Sequence, residues 1–246
     1  MKKRNLWTIL SILCALAAFF FFSQLFSIRA EEKQAQNAYS NLRITTPETI
    51  TEPSDASAAT DESVSSGIDL SSLTKLDDFV FWLDIPGTPV SYPVMQYPDN
   101  TYYLNHLPDG TKNRTGSLFL DSYNERNLSS PNTVIYGHNM KDGSMFAELL
   151  KYKDPDFLAS HRDVWVITKD GAWQYEIVSA HIVKDTADCY RLSFNGEWQE
   201  WLTKETGQSS EDSRDIEHVF TFSTCTGWPK DERMVLHAIP INHIED

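Results

Sequence analysis

Residues 218–241 read HVFTFSTCTGWPKDERMVLHAIPI, and their reading decides the fold. Two runs rich in Val, Ile, Phe and Thr, 219–223 and 234–239, flank a polar loop that holds Gly227, Pro229 and Lys230. That pattern reads as two strands joined by a turn. Cys225 stands at the C-terminal end of the first strand, where a side chain can face a cleft. Arg233 opens the second strand eight residues later. If the two strands pair as neighbours, the guanidinium returns to the end that carries the thiol. A thiol with an ordinary pKa near 8.5 needs a nearby base or cation to become a usable nucleophile. Arg keeps its charge at any working pH and donates in a fork, which suits an oxyanion.

Working outward, short strands separated by turn signals fill the preceding region: 80–85 ending at Pro86-Gly87, 90–95 ending at Pro98-Asp99, 117–120, and 133–136. Runs 164–168 and 173–179 flank Lys169-Asp170-Gly171, and Asp-Gly between two β-rich runs signals a hairpin. The spacing points to a small all-β barrel or sandwich. Ser71 and Ser72 can cap a short helix running to Phe79. Helical inserts are expected at 144–150, at 155–161, and at 197–205, where Trp198, Trp201 and Leu202 share one face.

Of seven histidines, His138 stands out, because it follows the apolar strand 133–136 and Gly137 at a strand mouth. His106, His161, His181, His218 and His243 read as structural or solvated. His237 shares strand parity with Arg233 and Val235, so it has a lesser claim on the same cleft.

Towards the N-terminus the pattern changes. Residues 6–28 form a run of 23 without a charge, long enough as a helix to cross a bilayer core. Lys2, Lys3 and Arg4 precede it, while Glu31 and Glu32 follow Arg29, which places the N-terminus in the cytoplasm. The run exceeds the apolar region of a secretory signal, and Ile28-Arg29-Ala30 is a poor cleavage site, so an uncleaved anchor is expected. Residues 31–43 are rich in helix formers and have no Pro or Gly, so a helix is expected to continue or restart there. Residues 44–74 contain no Lys or Arg and are dominated by Ser, Thr, Ala, Pro, Asp and Glu, the composition of a solvated tether. The organisation expected is a cytoplasmic tip and transmembrane anchor (1–30), a juxtamembrane helix and acidic tether (31–67), and a folded domain (68–246).

Composition narrows the function. Among 246 residues, 35 acidic against 21 basic gives a net charge of −14, which repels phosphate backbones and argues against nucleic acid as a partner. The three cysteines, Cys14, Cys189 and Cys225, are too few and too scattered for a disulfide framework or a C-x-x-C zinc site.

Several motifs in order resemble the class B sortases, membrane-anchored cysteine transpeptidases of Gram-positive bacteria. Thr221-Phe222-Ser223-Thr224-Cys225 is similar to the family's T-L-x-T-C, with Phe in the Leu place. Tyr136-Gly137-His138-Asn139-Met140, Tyr92-Pro93-Val94-Met95-Gln96, Asp99-Asn100, Tyr103-Leu104, residues 116–121 and Arg233 extend the likeness over about 68–241.

The resemblance implies an eight-stranded β-barrel with a helix inserted between the sixth and seventh strands, and a catalytic set of His138, Cys225 and Arg233. It further implies a peptide groove lined by Asn100, Leu104, Tyr136, Ser223 and Thr224. Some relatives carry an acidic residue after the cysteine; here Thr226 stands there, and no role is transferred to it. The implied reaction cleaves a C-terminal sorting signal of the Asn/Ser/Pro-Pro-x-Thr-(Gly/Asn) kind after Thr. The acyl group then passes to an amine of a cell-wall precursor, without metal or organic cofactor. The implied partners are secreted proteins that carry the signal, with the membrane held through the N-terminal helix. A pilin Lys as acceptor, a secreted cysteine protease and a non-enzymatic surface-binding domain are the alternatives.

Overall fold

The computed structural model describes residues 2–42, 70–193 and 218–241. The chain divides into two units, 1–41 and 42–246. The first is one helix, α1 (Lys2–Leu42), in which the apolar run and the polar juxtamembrane stretch continue without a break, since no Pro or Gly interrupts them. It is long and apolar enough to cross a membrane.

The second unit is a closed barrel of eight strands: β1 (Phe79–Asp84), β2 (Ser91–Met95), β3 (Leu118–Leu120), β4 (Asn132–Tyr136), β5 (Asp163–Thr168), β6 (Gly171–Lys184), β7 (Val219–Cys225) and β8 (Glu232–Pro240). The order around the barrel is β1-β2-β3-β4-β7-β8-β6-β5, closed by antiparallel pairing of β1 with β5. Two neighbouring pairs are parallel, β2 with β3 and β4 with β7. The second of these fixes the site.

The barrel is filled by alternate side chains of each strand. Phe81 on β1 meets Phe220 on β7 at 5.8 Å between ring centroids, although the two strands are not neighbours in the sheet. That contact therefore crosses the interior. Phe222 continues the same row of β7 and meets Phe146 edge-on at 6.0 Å. Burying such a ring stabilises the fold by about 1.5–3 kcal/mol.

Three local expectations are corrected. Residues 71–78 form a chain of turns and no helix: Leu73 and Thr74 donate to the Leu70 carbonyl and Leu76 to that of Leu73. This coil buries Leu70 and Leu73 against Trp82 and Ile167 before β1 starts. The insert expected from Ser144 is a 3-10 helix over Ala147–Lys153, because Met145, fully buried, takes a positive φ of 56° that no helix continues through. β6 runs well beyond 173–179, since its first half pairs with β5 and its whole length from Tyr175 to Lys184 with β8. The hairpin forms as read, with Thr168 opposite Gly171, and α2 (Pro155–Ser160) starts on an Asp154 cap with Pro at its first turn. The helix expected at 197–205, residues 43–67 of the expected tether segment and the first two residues of the expected domain, 68 and 69, lie outside the described residues.

Candidate active site

The register of three adjacent strands assembles the site. β4 and β7 run in parallel with Tyr136 beside Ser223, and β8 runs back along β7 with Arg233 opposite Cys225. Two residues beyond the first of these pairs lie His138 and Cys225. The pleat of β7 sends Phe220, Phe222 and Thr224 towards the barrel interior and Thr221, Ser223 and Cys225 to the outer face. Cys225, at the strand's end, is exposed. Its carbonyl accepts a 2.9 Å bond from Asn139 Nδ2, which ties the loop after β4 to the end of β7.

His138 is reached through Gly137, whose amide donates to the Ser223 carbonyl at 3.2 Å. The imidazole Nε2 lies 2.7 Å from the main-chain oxygen of Leu104, and the His138 carbonyl accepts from the amide of Phe146 at 2.9 Å. Arg233 is held along one edge: Nη1 donates to the carbonyls of Lys230 at 2.6 Å and Glu232 at 3.0 Å, while Nη2 faces Asp185 at 3.4 Å.

A floor and walls adjoin the thiol. Ser223 Oγ and Tyr190 Oη are hydrogen-bonded at 2.8 Å, and the rings of Tyr190 and Tyr136 lie near-parallel at 6.2 Å. Tyr136 Oη donates to Asp121 Oδ2 at 2.9 Å, and Asn100 Nδ2 donates to the same oxygen at 2.9 Å. Asn100 Oδ1 accepts from the amide of Ser122. Burial first, then the Asp121 carboxylate, drives the Tyr136 hydroxyl far above its usual range, and burial does the same for Tyr190. Both phenols stay neutral. Leu104 leaves 40% of its surface exposed beside this segment.

The structure thus gathers Asn100, Leu104, Tyr136, His138, Ser223, Cys225 and Arg233 on one region of the barrel. Thr224 is not among them, because its side chain is 1% exposed and turned to the opposite face of β7. His237 lies on the outer parity yet is fully buried, its Nδ1 3.1 Å from Ser179 Oγ and its ring stacked on His181, so it lines no cleft. Cys189 is also fully buried, packed with Val183 and Val235. Among the described residues no group of three or more His, Cys, Asp or Glu side chains is placed to hold a metal.

Sequence reading missed Tyr190, Asp121, Asn139 and Asp185 as site residues. Asp121 and Asn139 stood inside the motifs already quoted, so their positions were marked without a role. Tyr190 and Asp185 lie in the stretch after β6, where nothing local distinguishes them.

A family model described as the sortase domain matches residues 83–241. The chain is 39% identical over 165 residues to sortase B of Listeria monocytogenes, a match covering 64% of this chain and 65% of that protein. It is 32% identical over 162 residues to sortase B of Staphylococcus aureus, covering 63% and 66%. The chain thus spans a little under two thirds of the length of these relatives. Among solved structures, Clostridium perfringens sortase B superposes with a TM-score of 0.63 at 28% identity, covering 70% of this chain and 99% of that one. A Staphylococcus aureus sortase B–substrate complex gives 0.62 at 30% identity, with coverages of 70% and 84%.

Proposed function

The chain belongs to the sortase family, class B, and on that premise we propose that it is a membrane-anchored cysteine transpeptidase acting on secreted proteins that end in a Pro-x-Thr-type sorting signal. The observation that supports the reading is the register of β4, β7 and β8: Tyr136 lies beside Ser223 and Arg233 opposite Cys225, with His138 two residues past the end of β4.

In this reading the Cys225 thiolate adds to the carbonyl carbon of the signal's Thr. The oxyanion that forms is held by the Arg233 guanidinium, whose Nη1 edge is already committed to two backbone carbonyls and so cannot swing freely. The C–N bond breaks as protonated His138 gives its proton to the departing amine, leaving a thioester on Cys225. An incoming amine then loses a proton to His138, attacks the thioester and releases the thiolate. The groove between Tyr136 and Tyr190, with Ser223 beneath and Asn100 and Leu104 alongside, is the proposed seat of the peptide. The two phenols, held neutral and already hydrogen-bonded to Asp121 and Ser223, line that seat without adding charge.

α1 is the proposed anchor, with the basic tip of Lys2, Lys3 and Arg4 in the cytoplasm and the barrel outside. Holding the enzyme where the signal-bearing protein and a lipid-linked acceptor both sit raises their effective concentration.

The test is to incubate the full chain in detergent with a library of peptides varied around Pro-x-Thr and read the products by mass spectrometry. Three arms are compared: no added amine, a cell-wall-type amino peptide, and a Lys-containing pilin-type peptide. Cleavage after Thr with ligation to the cell-wall amine supports the proposal. Ligation to the Lys peptide alone would make the chain a pilin polymerase. Hydrolysis that no amine diverts would make it a protease, and no cleavage at all would leave a binding domain.

A further inference from the structure

His138 is oriented by a backbone oxygen. Its Nε2 lies 2.7 Å from the carbonyl of Leu104, and a carbonyl only accepts hydrogen bonds. In the neutral ring the proton therefore resides on Nε2, and the lone pair of Nδ1 is left for proton transfer. In nucleophile–histidine–acid sites a buried carboxylate sets tautomer and ring orientation from the far side of the imidazole. Here an uncharged acceptor occupies that place.

The carbonyl is itself held. Leu104 ends a 3-10 turn, Tyr102–Leu104, that Asp99 pins at its start by accepting from the amides of Thr101 at 2.7 Å and Tyr102 at 2.9 Å. Behind the turn runs Gly116, with a φ of +63°. A Cβ on Gly116 would stand 2.5 Å from the Tyr103 oxygen and 2.9 Å from the Leu104 oxygen, and both are backbone atoms that cannot rotate away. The next residue, Ser117, donates its amide to the Tyr103 carbonyl at 2.9 Å, so the two segments are laced together where they touch. Only a residue without a side chain lets them approach this closely.

From this geometry we infer that the Leu104 carbonyl is the positioning group for His138, and that Gly116 is the positioning residue that gives that carbonyl its place. The inference rests on the reading of His138 as the acid and base of the reaction. It adds a consequence: Leu104 offers its side chain to the groove and its main-chain oxygen to the histidine, so one residue serves binding and proton transfer through separate atoms.

Two measurements on the full chain in detergent micelles test it. With 15N-labelled histidine, and with the signal assigned by its loss in His138→Gln, nitrogen NMR of the neutral form should show His138 protonated at Nε2. A ring protonated mainly at Nδ1, or an even mixture of tautomers, overturns the inference. This readout needs no turnover, so it stands apart from the proposed activity. If the peptides are cleaved and the tautomer is wrong, the inference alone fails; if the tautomer is right and no peptide is cleaved, the activity alone fails.

The second measurement compares variants. Gly116→Ala should lower kcat for peptide cleavage at least tenfold, with the His138 signal shifting towards the mixed tautomer. Leu104→Ala, which keeps the carbonyl, should raise KM and leave the tautomer as it was. A folded Gly116→Ala with wild-type kcat overturns the inference; should that variant not fold, the tautomer of the unmodified chain decides.

Discussion

Cys225 and Cys189 are the same chemical group in opposite settings. Cys225 is exposed at the end of β7 with Arg233 opposite, whereas Cys189 is fully buried among Val183 and Val235. Cys225→Ala should abolish peptide cleavage with the melting temperature nearly unchanged. Cys189→Ala should keep cleavage within about twofold while costing on the order of 1 kcal/mol of stability from the small cavity it leaves. Cleavage assays and thermal melts on the two variants check this, and an inactive but stable Cys189→Ala would displace Cys225 as nucleophile. His218 carries a second residue-scale prediction. Burial lowers its pKa to about 4, with Thr133 Oγ1 at 2.9 Å and the rings of Tyr175 and Phe220 around it. The unfolded chain binds this proton near pH 6.5 and the folded chain only near 4, so protonation favours unfolding. Stability from this group is therefore intact above pH 6.5 and falls as the pH drops from 6.5 to 4, by up to roughly 3 kcal/mol. Buried His237, held neutral for the same reason, adds to the slope. Denaturant melts across that range should flatten in His218→Gln; an unchanged slope would place the acid sensitivity elsewhere.

At the scale of elements, β4 and the turn after it tie the barrel to the site. Gly137 lies so close under Phe146 and Leu118 that a Cβ would stand 2.4 Å from Leu118 Cδ2 and 2.7 Å from Phe146 Cδ2. Gly137→Ala should therefore cost about 1–3 kcal/mol through overpacking, and by pushing the next residue it should lower kcat as well. A thermal melt and a cleavage assay on one preparation test both, and unchanged values would mean that Leu118 and Phe146 yield freely. The strands themselves were legible, because each is a short run of β-branched and aromatic residues closed by a turn signal. Two segments look locally like α-helices and are not. Residues 71–78 have a capping serine pair but spend their length placing Leu70 and Leu73 on Trp82. Residues 144–150 look helical, yet the backbone at Met145 turns left-handed to bury that side chain. β6 outruns its local signal because its partner β8 lies 48 to 65 residues on along the chain, and pairing with it extends the strand beyond what its own residues suggest.

For the whole molecule, composition separates an apolar helix, a stretch poor in basic residues and a β-rich domain. A chain beginning at residue 68 should remain soluble, melt at the same temperature as the full chain and cleave peptide at the same rate, while losing membrane association. Sedimentation of membrane fractions, melts and assays on the truncated chain check it; loss of folding would move the domain boundary upstream. By itself the sequence determined the apolar helix, most strands and the Asp-Gly hairpin, because these follow from local periodicity and turn chemistry; it also marked His138, Cys225 and Arg233 as candidates at strand ends, which the resemblance to class B sortases joins into one set. Tertiary structure alone decided the parallel seating of β4 beside β7, which joins Asn139 to Cys225 across 86 residues. It likewise decided the pairing of Tyr190 with Ser223, of Asp121 with Asn100 and Tyr136, and of Leu104 with His138. The same closure turned Thr224 inward and buried His237. Such partners are chosen when the sheet closes on itself, and no pattern within either segment records which distant strand will lie beside it.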